Sequence, residues 1–274
     1  MAADILQRII ARKREEIIAS RRRCSENDWL ERGLSQPAKR GFVDAVAQPA
    51  RSGGVAIIAE VKRASPSKGV LLPAGVPFLP EGIAAGYATA GAACISCLTD
   101  RDFFQGDLDF IPLIRASVPL PVLRKDFLVD PYQVAEARGV GADAILLIMA
   151  ALSPAQAGEL LDAATRYGLD VLMEVHDRPE MEQALTLPIP LIGINNRNLS
   201  TFHTSLETTV ALAPLAGGER ILVSESGIAS PGDIRFLQGH GVSAFLIGEA
   251  FMRHAVPGQA LATFLGGLSE GEKA

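Results

Sequence analysis

The 274-residue sequence contains only three cysteines, and this scarcity limits the metal and redox chemistry open to it. Cys94 and Cys97 form a C-x-x-C pair, a spacing found in zinc sites and in redox-active disulfides. They fall in a strand-like run, however, where residues three apart point to opposite faces. No second cysteine pair is present that could complete a zinc site. We therefore expect buried structural cysteines and no bound metal.

An excess of positive charge and long apolar runs are also missing. The formal net charge is −5, which argues against a general attraction for nucleic acid. The longest apolar runs, such as residues 144–152, are far shorter than the roughly 20 residues that span a bilayer, so no membrane partner is expected. The first residues, Met1 to Asp4, carry no apolar signal core, which favours a cytoplasmic location.

Short apolar runs alternate with helical patterns from residue 55 onward. Eight such runs begin 21 to 38 residues apart, and their near-continuous apolar character is typical of parallel strands buried on both faces. Eight βα units in one chain predict a (β/α)8 TIM barrel. The predicted strands are Val55–Val61, Ala93–Leu98, Pro121–Arg124, Ala144–Ile148, Asp170–Val175, Leu191–Ile194, Arg220–Val223 and Ala244–Ile247.

A weak internal repeat supports the barrel. Gly91, Gly141 and Gly241 each stand just before a predicted strand, where glycine commonly ends a helix. A doubly wound open sheet is the alternative, but it would carry a glycine-rich fingerprint after its first strand, and this sequence has none there.

The N-terminal part of the chain is predicted to be helical. Residues 4 to about 23 place Ile5, Ile9 and Ile17 on an approximate apolar stripe, with charged residues elsewhere. We therefore expect one barrel domain over residues 1–274, with a helical extension over about residues 1–50.

Ionisable residues gather where the predicted strands end, which is the edge that carries the active site of such a barrel. Glu60 and Lys62 leave the first strand on the same face, and taken alone they would be a solvated ion pair. Convergence of two lysines and three glutamates at one edge is harder to explain by solvation. The five residues are Glu60, Lys62, Lys125, Glu174 and Glu225. His176 also follows a strand end, but no acid is evident beside it, and we interpret it as a packing residue or as a residue that supports the site from behind.

The last two strand ends predict a phosphate site. Ser226 and Gly227 follow the seventh strand, and Gly248 and Glu249 open a helix after the eighth. Glycines permit a close backbone approach, and a helix N-terminus offers free N–H groups. Ordinary turn glycines are the alternative interpretation. Glu249 suits a phosphate site only if its backbone N–H faces the anion and its carboxylate turns away.

These strand-end motifs resemble those of the indole-3-glycerol phosphate synthase family over nearly the whole chain. The matching segments are Glu60–Gly69, Leu98–Asp100 with Phe103–Gly106, Leu123–Phe127, Met173–His176, Gly193–Leu199 and Ser224–Ile228. The N-terminal helix is similar to the family's extra helix before the barrel. The clearest departure is the segment Val70–Pro80, which is apolar where the family has a polar entry to its first helix. The shape of that loop is left open.

The resemblance implies a carboxy-lyase of tryptophan biosynthesis. Its substrate would be 1-(2-carboxyphenylamino)-1-deoxy-D-ribulose 5-phosphate, and its product indole-3-glycerol phosphate, with release of carbon dioxide and water. No cofactor is expected. The expected partner is therefore a phosphorylated small molecule, and the expected assembly is a monomer or a weak homodimer.

The resemblance also implies roles for individual residues. Lys125 resembles the general acid of ring closure and Glu174 the base of dehydration, while Lys62 either anchors the substrate carboxylate or supplies a proton. Glu60 and Glu225 would polarise these groups. The remaining implied residues are Asn195 in the catalytic set; Ser65, Phe104, Leu146, Arg197 and Ser226 in substrate binding; and Gly227, Gly248 and Glu249 at the phosphate.

Two rival functions stay open from the sequence. Phosphoribosylanthranilate isomerase is another phosphosugar barrel, but it uses a cysteine and an aspartate as its acid–base pair, and no cysteine ends the first strand here. A non-catalytic phosphate-binding barrel would not need two lysines and three glutamates at its mouth.

Overall fold

The structure is a computed structural model that describes residues 3–198, 201–218 and 220–270. Within these residues, eight parallel strands close into a barrel with helices between them, so the predicted (β/α)8 TIM barrel is confirmed. The structure does not describe Met1, Ala2, Leu199, Ser200, Glu219 or residues 271–274. Of these, Leu199 ends the matching segment Gly193–Leu199. The barrel strands are β1 (Ala56–Val61), β2 (Cys94–Leu98), β3 (Val122–Lys125), β4 (Ala144–Ile148), β5 (Asp170–Val175), β6 (Leu191–Asn195), β7 (Ile221–Glu225) and β8 (Ala244–Ile247).

The predicted strands match the observed ones to within two residues at either end. Three N-terminal helices precede the barrel: α1 (Ala3–Arg23), α2 (Glu26–Ser35) and α3 (Phe42–Arg51). The helices that follow are α4 (Pro80–Thr89), α5 (Phe110–Ser117), α6 (Pro131–Gly139), α7 (Pro154–Tyr167), α8 (Arg178–Leu185), α9 (Glu207–Leu212), α10 (Pro231–Gln238), α11 (Glu249–Met252) and α12 (Pro257–Glu270). None of the described helices is long and apolar enough to cross a membrane.

Several barrel helices begin with the same local signal. Asp130, Ser153, Asp177 and Ser230 each cap a helix N-terminus, because their side-chain oxygens accept a hydrogen bond from a backbone N–H of the first turn. A proline near the start of each of these helices has no N–H to leave unpaired. Each cap sets the residue at which a helix begins, and the loop from the preceding strand ends there. The caps therefore limit the length of the loops at the C-terminal ends of the strands, which form the mouth of the barrel.

Side chains of the strands alternate between two buried layers. Ile58, Leu123 and Leu172 fill the inside of the barrel, whereas neighbouring strand residues pack outward against the helices. Cys94 belongs to the inner layer and Cys97 to the outer layer, and both are free thiols. The prediction that the two sulfurs face opposite ways is therefore confirmed.

Helix α3 closes the floor of the barrel, at the N-terminal ends of the strands. Phe42 is completely buried within the inner layer. The backbone N–H groups of Phe42 and Val43 donate to Asp170 Oδ2 at 2.8 and 3.1 Å. The N–H of Arg40 donates to Asp143 Oδ1 at 2.8 Å. The N-terminal extension is thus attached to the starts of the strands by the buried Asp143 and the partly buried Asp170.

Helix α1 lies at the other end of the barrel, over the mouth. Its buried Lys13 forms ion pairs with Asp100 at 2.8 Å and with Asp126 at 3.0 Å, both in loops that follow strands. Burial alone would raise the pKa of Asp126, but Lys13 and Arg124 lower it to about 2. One lysine therefore joins α1 to the loops after β2 and β3.

The unusual segment Val70–Pro80 is folded back onto the protein. Gly69–Val70 pairs with Ala64–Ser65 as a short antiparallel hairpin, and Leu71 and Leu72 are buried. Further along, the ring of Phe78 packs on Phe110 with 5.5 Å between ring centroids. Apolar residues in this segment therefore extend the core at the edge of the mouth.

Candidate active site

A cavity of about 690 Å³ opens at the C-terminal ends of the strands. The fourteen residues that the sequence assigned to a site all line it, although they come from seven different strand ends and one strand interior. They are Glu60, Lys62, Ser65, Phe104, Lys125, Leu146, Glu174, Asn195, Arg197, Glu225, Ser226, Gly227, Gly248 and Glu249. Helix α1 contributes Ile5, Leu6 and Ile9 to one wall, a contribution that sequence reasoning missed.

Two ion-pair groups form the charged centre of the cavity. Lys125 Nζ donates to Glu174 Oε2 at 2.9 Å and to Glu225 Oε2 at 2.8 Å, so it bridges two nearly buried carboxylates. Lys62 Nζ pairs with Glu60 Oε2 across the first strand end. The adjacent acid and base inferred from strand alternation therefore do meet.

The two carboxylates that share Lys125 are tuned in opposite directions. Burial would raise the pKa of Glu174, but Lys125 and His176 lower it well below its usual range. Burial raises the pKa of Glu225 to about 7, since Lys125 offsets only part of this effect and Glu174 adds repulsion. Burial would lower the pKa of Lys125, but the two glutamates raise it well above its usual value. Near neutral pH the site therefore holds a charged Lys125 and a charged Glu174, whereas burial disfavours the charged form of Glu225.

His176 differs in part from its sequence interpretation. No partner acid was evident, yet its Nε2 lies 3.2 Å from Glu174 Oε1 and its Nδ1 lies 3.0 Å from Glu180 Oε2. Glu180 lies in the first turn of α8, and only the folded turn after β5 brings it back to the histidine. The expectation that no acid lies beside His176 was therefore wrong, whereas a supporting place behind the site agrees with its position outside the cavity lining.

Two glycines make room for catalytic-site carboxylates. A Cβ atom on Gly193 would collide with Glu225 Oε1, and a Cβ atom on Gly248 would collide with Glu60 Oε2. Sequence reasoning missed Gly193, although a glycine inside an apolar strand is a recognised sign of close approach. Gly248 was assigned only to the phosphate, but the space beside its Cα is also what Glu60 occupies.

The end of the cavity that the sequence assigned to phosphate contains Ser226, Gly227, Gly248 and Glu249. Ser226 and Gly227 have φ values of 64° and 79°, in the left-handed region that is unfavourable for a serine. The carboxylate of Glu249 accepts a hydrogen bond from Arg253 Nη2 at 2.8 Å and lies 3.5 Å from Arg197 Nη2. Both arginines also line the cavity, so the expectation that this carboxylate turns away from a phosphate stays a prediction.

Part of the cavity lining is apolar and aromatic. Phe104 and Phe127 pack with 6.1 Å between ring centroids, and Leu146 and Ile148 also line the cavity. Asp100 holds the Phe104 loop, because its Oδ1 accepts hydrogen bonds from the N–H groups of Phe103 and Phe104 at 2.8 and 3.1 Å. The cavity therefore has an apolar side, a charged centre and a glycine-rich end.

Among the described residues, no group of three or more histidine, cysteine, aspartate or glutamate side chains is arranged to hold a metal ion.

Comparisons with known proteins agree with this geometry. The sequence profile of the family described as indole-3-glycerol phosphate synthase matches residues 6–264. The chain is 51% identical over 259 residues to an indole-3-glycerol phosphate synthase of Bordetella pertussis, covering 94% of this chain and 98% of that protein. A crystal structure titled KGPDC, from Streptococcus mutans, superposes with a TM-score of 0.59 at 12% identity over 79% of this chain and 98% of that one, which supports the barrel fold alone. The extent of the profile match and the identity to the Bordetella protein together place this chain in the indole-3-glycerol phosphate synthase family.

Proposed function

We propose that the charged centre of this cavity closes the indole ring of 1-(2-carboxyphenylamino)-1-deoxy-D-ribulose 5-phosphate. The aryl carbon that bears the carboxylate attacks the C2 carbonyl, carbon dioxide leaves, and loss of water then gives indole-3-glycerol phosphate. Membership of the family makes the chain a carboxy-lyase of tryptophan biosynthesis. The family match does not favour the two rivals, phosphoribosylanthranilate isomerase and a binding-only barrel.

The observation that carries this proposal is the bridge from Lys125 to Glu174 and Glu225. Lys125 is the general acid that protonates the C2 oxygen as the new bond forms, since its ammonium is buried at the centre of the cavity and is charged at neutral pH. Glu225 Oε1 is buried against Gly193 and has no hydrogen-bond partner among the described residues, while its Oε2 accepts from Lys125 at 2.8 Å.

Dehydration requires a base and an acid at the ring carbons. Glu174 is the base, because its carboxylate stays ionised beside Lys125 and so can accept a proton. Lys62, held by Glu60 at the first strand end, either anchors the substrate carboxylate or donates the proton that the leaving hydroxyl needs.

The remaining cavity residues bind and orient the substrate. Phe104 and Leu146 pack against the aryl ring, while Ser65, Asn195 and Arg197 fix the polar atoms. Asn195 Nδ2 already donates to Glu174 Oε1 at 3.2 Å, so it connects substrate placement to the base. The phosphate end consists of Ser226, Gly227, Gly248 and Glu249, with backbone N–H groups as the donors.

We further propose that the protein acts in the cytoplasm as a monomer or weak homodimer, with a phosphorylated small molecule as its partner. Light scattering at micromolar concentrations measures the assembly directly. A stable higher oligomer would contradict this part of the proposal.

The roles of Lys125 and Glu174 are tested by single-turnover rapid quench, following carbon dioxide release and the indole absorbance separately. Lys125→Ala should lower kcat by about a hundredfold or more, with little change in affinity for a phosphate-bearing ligand. Glu174→Gln should still bind substrate and release carbon dioxide, but should accumulate a species short of the indole. Near wild-type turnover of Lys125→Ala, or equal slowing of both signals in Glu174→Gln, would contradict these roles.

A further inference from the structure

The side chain of Glu174 is held from three directions. Its Oε2 accepts from Lys125 at 2.9 Å, and its Oε1 accepts from Asn195 Nδ2 at 3.2 Å. His176 Nε2 stands 3.2 Å from the same Oε1, at ion-pair distance but outside hydrogen-bond geometry. Lys125 and Asn195 belong to the site already described. His176 is the contact that neither the proposed reaction nor the sequence motifs explain.

His176 is itself held by a second acid. Its backbone N–H donates to Glu180 Oε2 at 2.8 Å, and its Nδ1 lies 3.0 Å from the same oxygen. The histidine side chain is only 9% exposed, while that of Glu180 is 19% exposed. Glu174 from β5 and Glu180 from α8 are the charged groups that face the two nitrogens of the ring, and Lys125 lies beyond Glu174.

Two carboxylates facing one imidazole determine its protonation. A neutral imidazole has one N–H and one lone pair, so one of the two carboxylates would face a lone pair in a buried site. An imidazolium offers an N–H toward each. Burial would lower the pKa of His176, but Glu174 and Glu180 raise it to about 10. The ring is therefore a fixed cation at neutral pH.

We propose that His176 is a positioning residue for the reaction: an imidazolium anchored by Glu180 that orients Glu174 Oε1 and keeps this carboxylate ready to accept a proton. This proposal rests on the role of Glu174 as base given above. His176 itself lies outside the cavity lining, so it acts on the reaction through Glu174. Glu180 anchors the histidine from the other side. Removing the histidine should therefore change the rate and the pH dependence of proton abstraction, with little change in substrate binding.

The first measurement is the protonation state of His176 in the wild-type protein. Because the chain has only four histidines, long-range ¹H–¹⁵N spectra can resolve each ring, and the signal lost in His176→Gln assigns this one. We expect both ring nitrogens to stay protonated from pH 6 to about pH 9, well above the ordinary histidine range. A neutral ring at pH 7.5 would overturn the proposal.

The second measurement compares matched glutamate variants on α8. Glu180→Gln removes the anchor and should lower the titration midpoint of the His176 ring by about one pH unit. Glu182→Gln is the control, since Glu182 lies on the same helix, is exposed and pairs with Arg178 at 3.5 Å. In Glu182→Gln, the titration midpoint of the His176 ring should match that of the wild-type protein. Equal midpoints in the two variants would also overturn the proposal.

The third measurement is kinetic. His176→Gln keeps an N–H donor near the Nε2 position but removes the charge, so kcat should fall about tenfold while KM stays within about twofold. The acid limb of the kcat profile should move up by about one pH unit, because a neighbouring cation no longer lowers the pKa of Glu174. An unchanged kcat and acid limb in a folded variant would overturn the inference.

The two proposals fail in different ways. If Glu174→Gln makes indole at the wild-type rate, Glu174 is not the base, and both that assignment and the positioning role fall. If Glu174→Gln blocks the indole step but His176→Gln behaves as wild type, only the positioning role falls.

Discussion

At the scale of single residues, space for the carboxylates is as important as their charge. Glu225 reaches the centre of the site over Gly193, and Glu60 does so over Gly248. At Gly193 the colliding atom is the end of a flexible side chain, so a larger residue would displace the Glu225 carboxylate and leave the strand in place, whereas at Gly248 the Cβ of Glu60 is also within 2.9 Å. Gly248→Val would therefore disturb Glu60 as well as the phosphate, and it is a poor test of phosphate binding alone.

Gly193→Ala tests this use of space. The added methyl group should push Glu225 away from Lys125, so we expect kcat to fall about tenfold or more while the barrel still folds. Gly158→Ala in α7 is the matched control, since its Cβ would meet nothing within 4 Å. Steady-state kinetics of both variants check the prediction. Wild-type kcat in Gly193→Ala would show that Glu225 does not need its observed position.

Glu225 should also make stability depend on pH. Its pKa is about 7 in the folded protein, above the value of 4.5 for an ordinary glutamate, so the folded state binds the proton more tightly. The sign follows: stability falls as pH rises from about 4.5 through 7, because the buried carboxylate must then become charged. Glu225→Gln should therefore increase the free energy of unfolding at pH 8 by about 1–3 kcal/mol, and by less at pH 5.

Urea unfolding at the two pH values measures this difference. The exposed Glu159→Gln on α7 serves as its control and should show no such pH dependence. A destabilised Glu225→Gln at pH 8 would contradict the prediction, since it would mean that the charged form is the favoured one in the folded site.

At the scale of elements, α1 is fixed to the barrel by one buried cation. Lys13 neutralises Asp100 and Asp126, which belong to the loops carrying Phe104 and following Lys125. Removing one member of a buried ionic cluster leaves the others uncompensated, at a cost of roughly 3–5 kcal/mol. The apolar face of α1 also lines the cavity through Ile5 and Ile9, so the same ion pairs serve the site.

Lys13→Met should lower the free energy of unfolding by about 3 kcal/mol and raise KM, because α1 would lose its fixed place above the mouth. Arg14→Met on the exposed side of the same helix should change stability by less than about 0.5 kcal/mol. Denaturant titrations of both variants provide the comparison. Equal stability of the two would show that the Lys13 ion pairs do not hold α1.

At the scale of the whole molecule, the floor of the barrel contributes to stability without lining the cavity. The floor is closed by Phe42, with Asp143 and Asp170 accepting backbone N–H groups of the extension. The mouth carries the lysines and glutamates. A change at the floor should therefore alter unfolding without altering the reaction.

Phe42→Ala should lower the free energy of unfolding by about 3–5 kcal/mol, since it leaves a cavity in the inner layer, while kcat at low temperature stays within about twofold. The exposed Leu34→Ala is the control and should have no effect on either quantity. A loss of kcat that matches the loss of stability would contradict the separation of floor and mouth.

The proposed single domain is tested in the same experiments. The one tryptophan, Trp29, lies in the extension and donates to Tyr132 of α6 at 2.9 Å, whereas far-UV circular dichroism reports mainly the barrel. If extension and barrel form one cooperative unit, the two signals should change together. Separate transitions would show that the extension unfolds by itself.

The sequence by itself determined much of this protein, because the relevant signals are local. Alternation along a strand put Glu60 beside Lys62 and separated Cys94 from Cys97, and apolar runs located the eight strands to within two residues. The rule that a barrel's chemistry lies at its strand ends, together with the family resemblance, then selected fourteen residues that all line one cavity.

Only the tertiary structure decided the contacts between residues that are distant in sequence or belong to different elements. The partner of His176 is on the next helix, the space for Glu225 is supplied by Gly193 on a neighbouring strand, and Lys13 reaches across about 90 residues to Asp100. The opposite tuning of Glu174 and Glu225 likewise depends on burial and on which oxygens Lys125 and His176 reach. A linear pattern fixes which face a side chain occupies, but proton affinity and free space depend on every group that the closed barrel brings within a few ångströms.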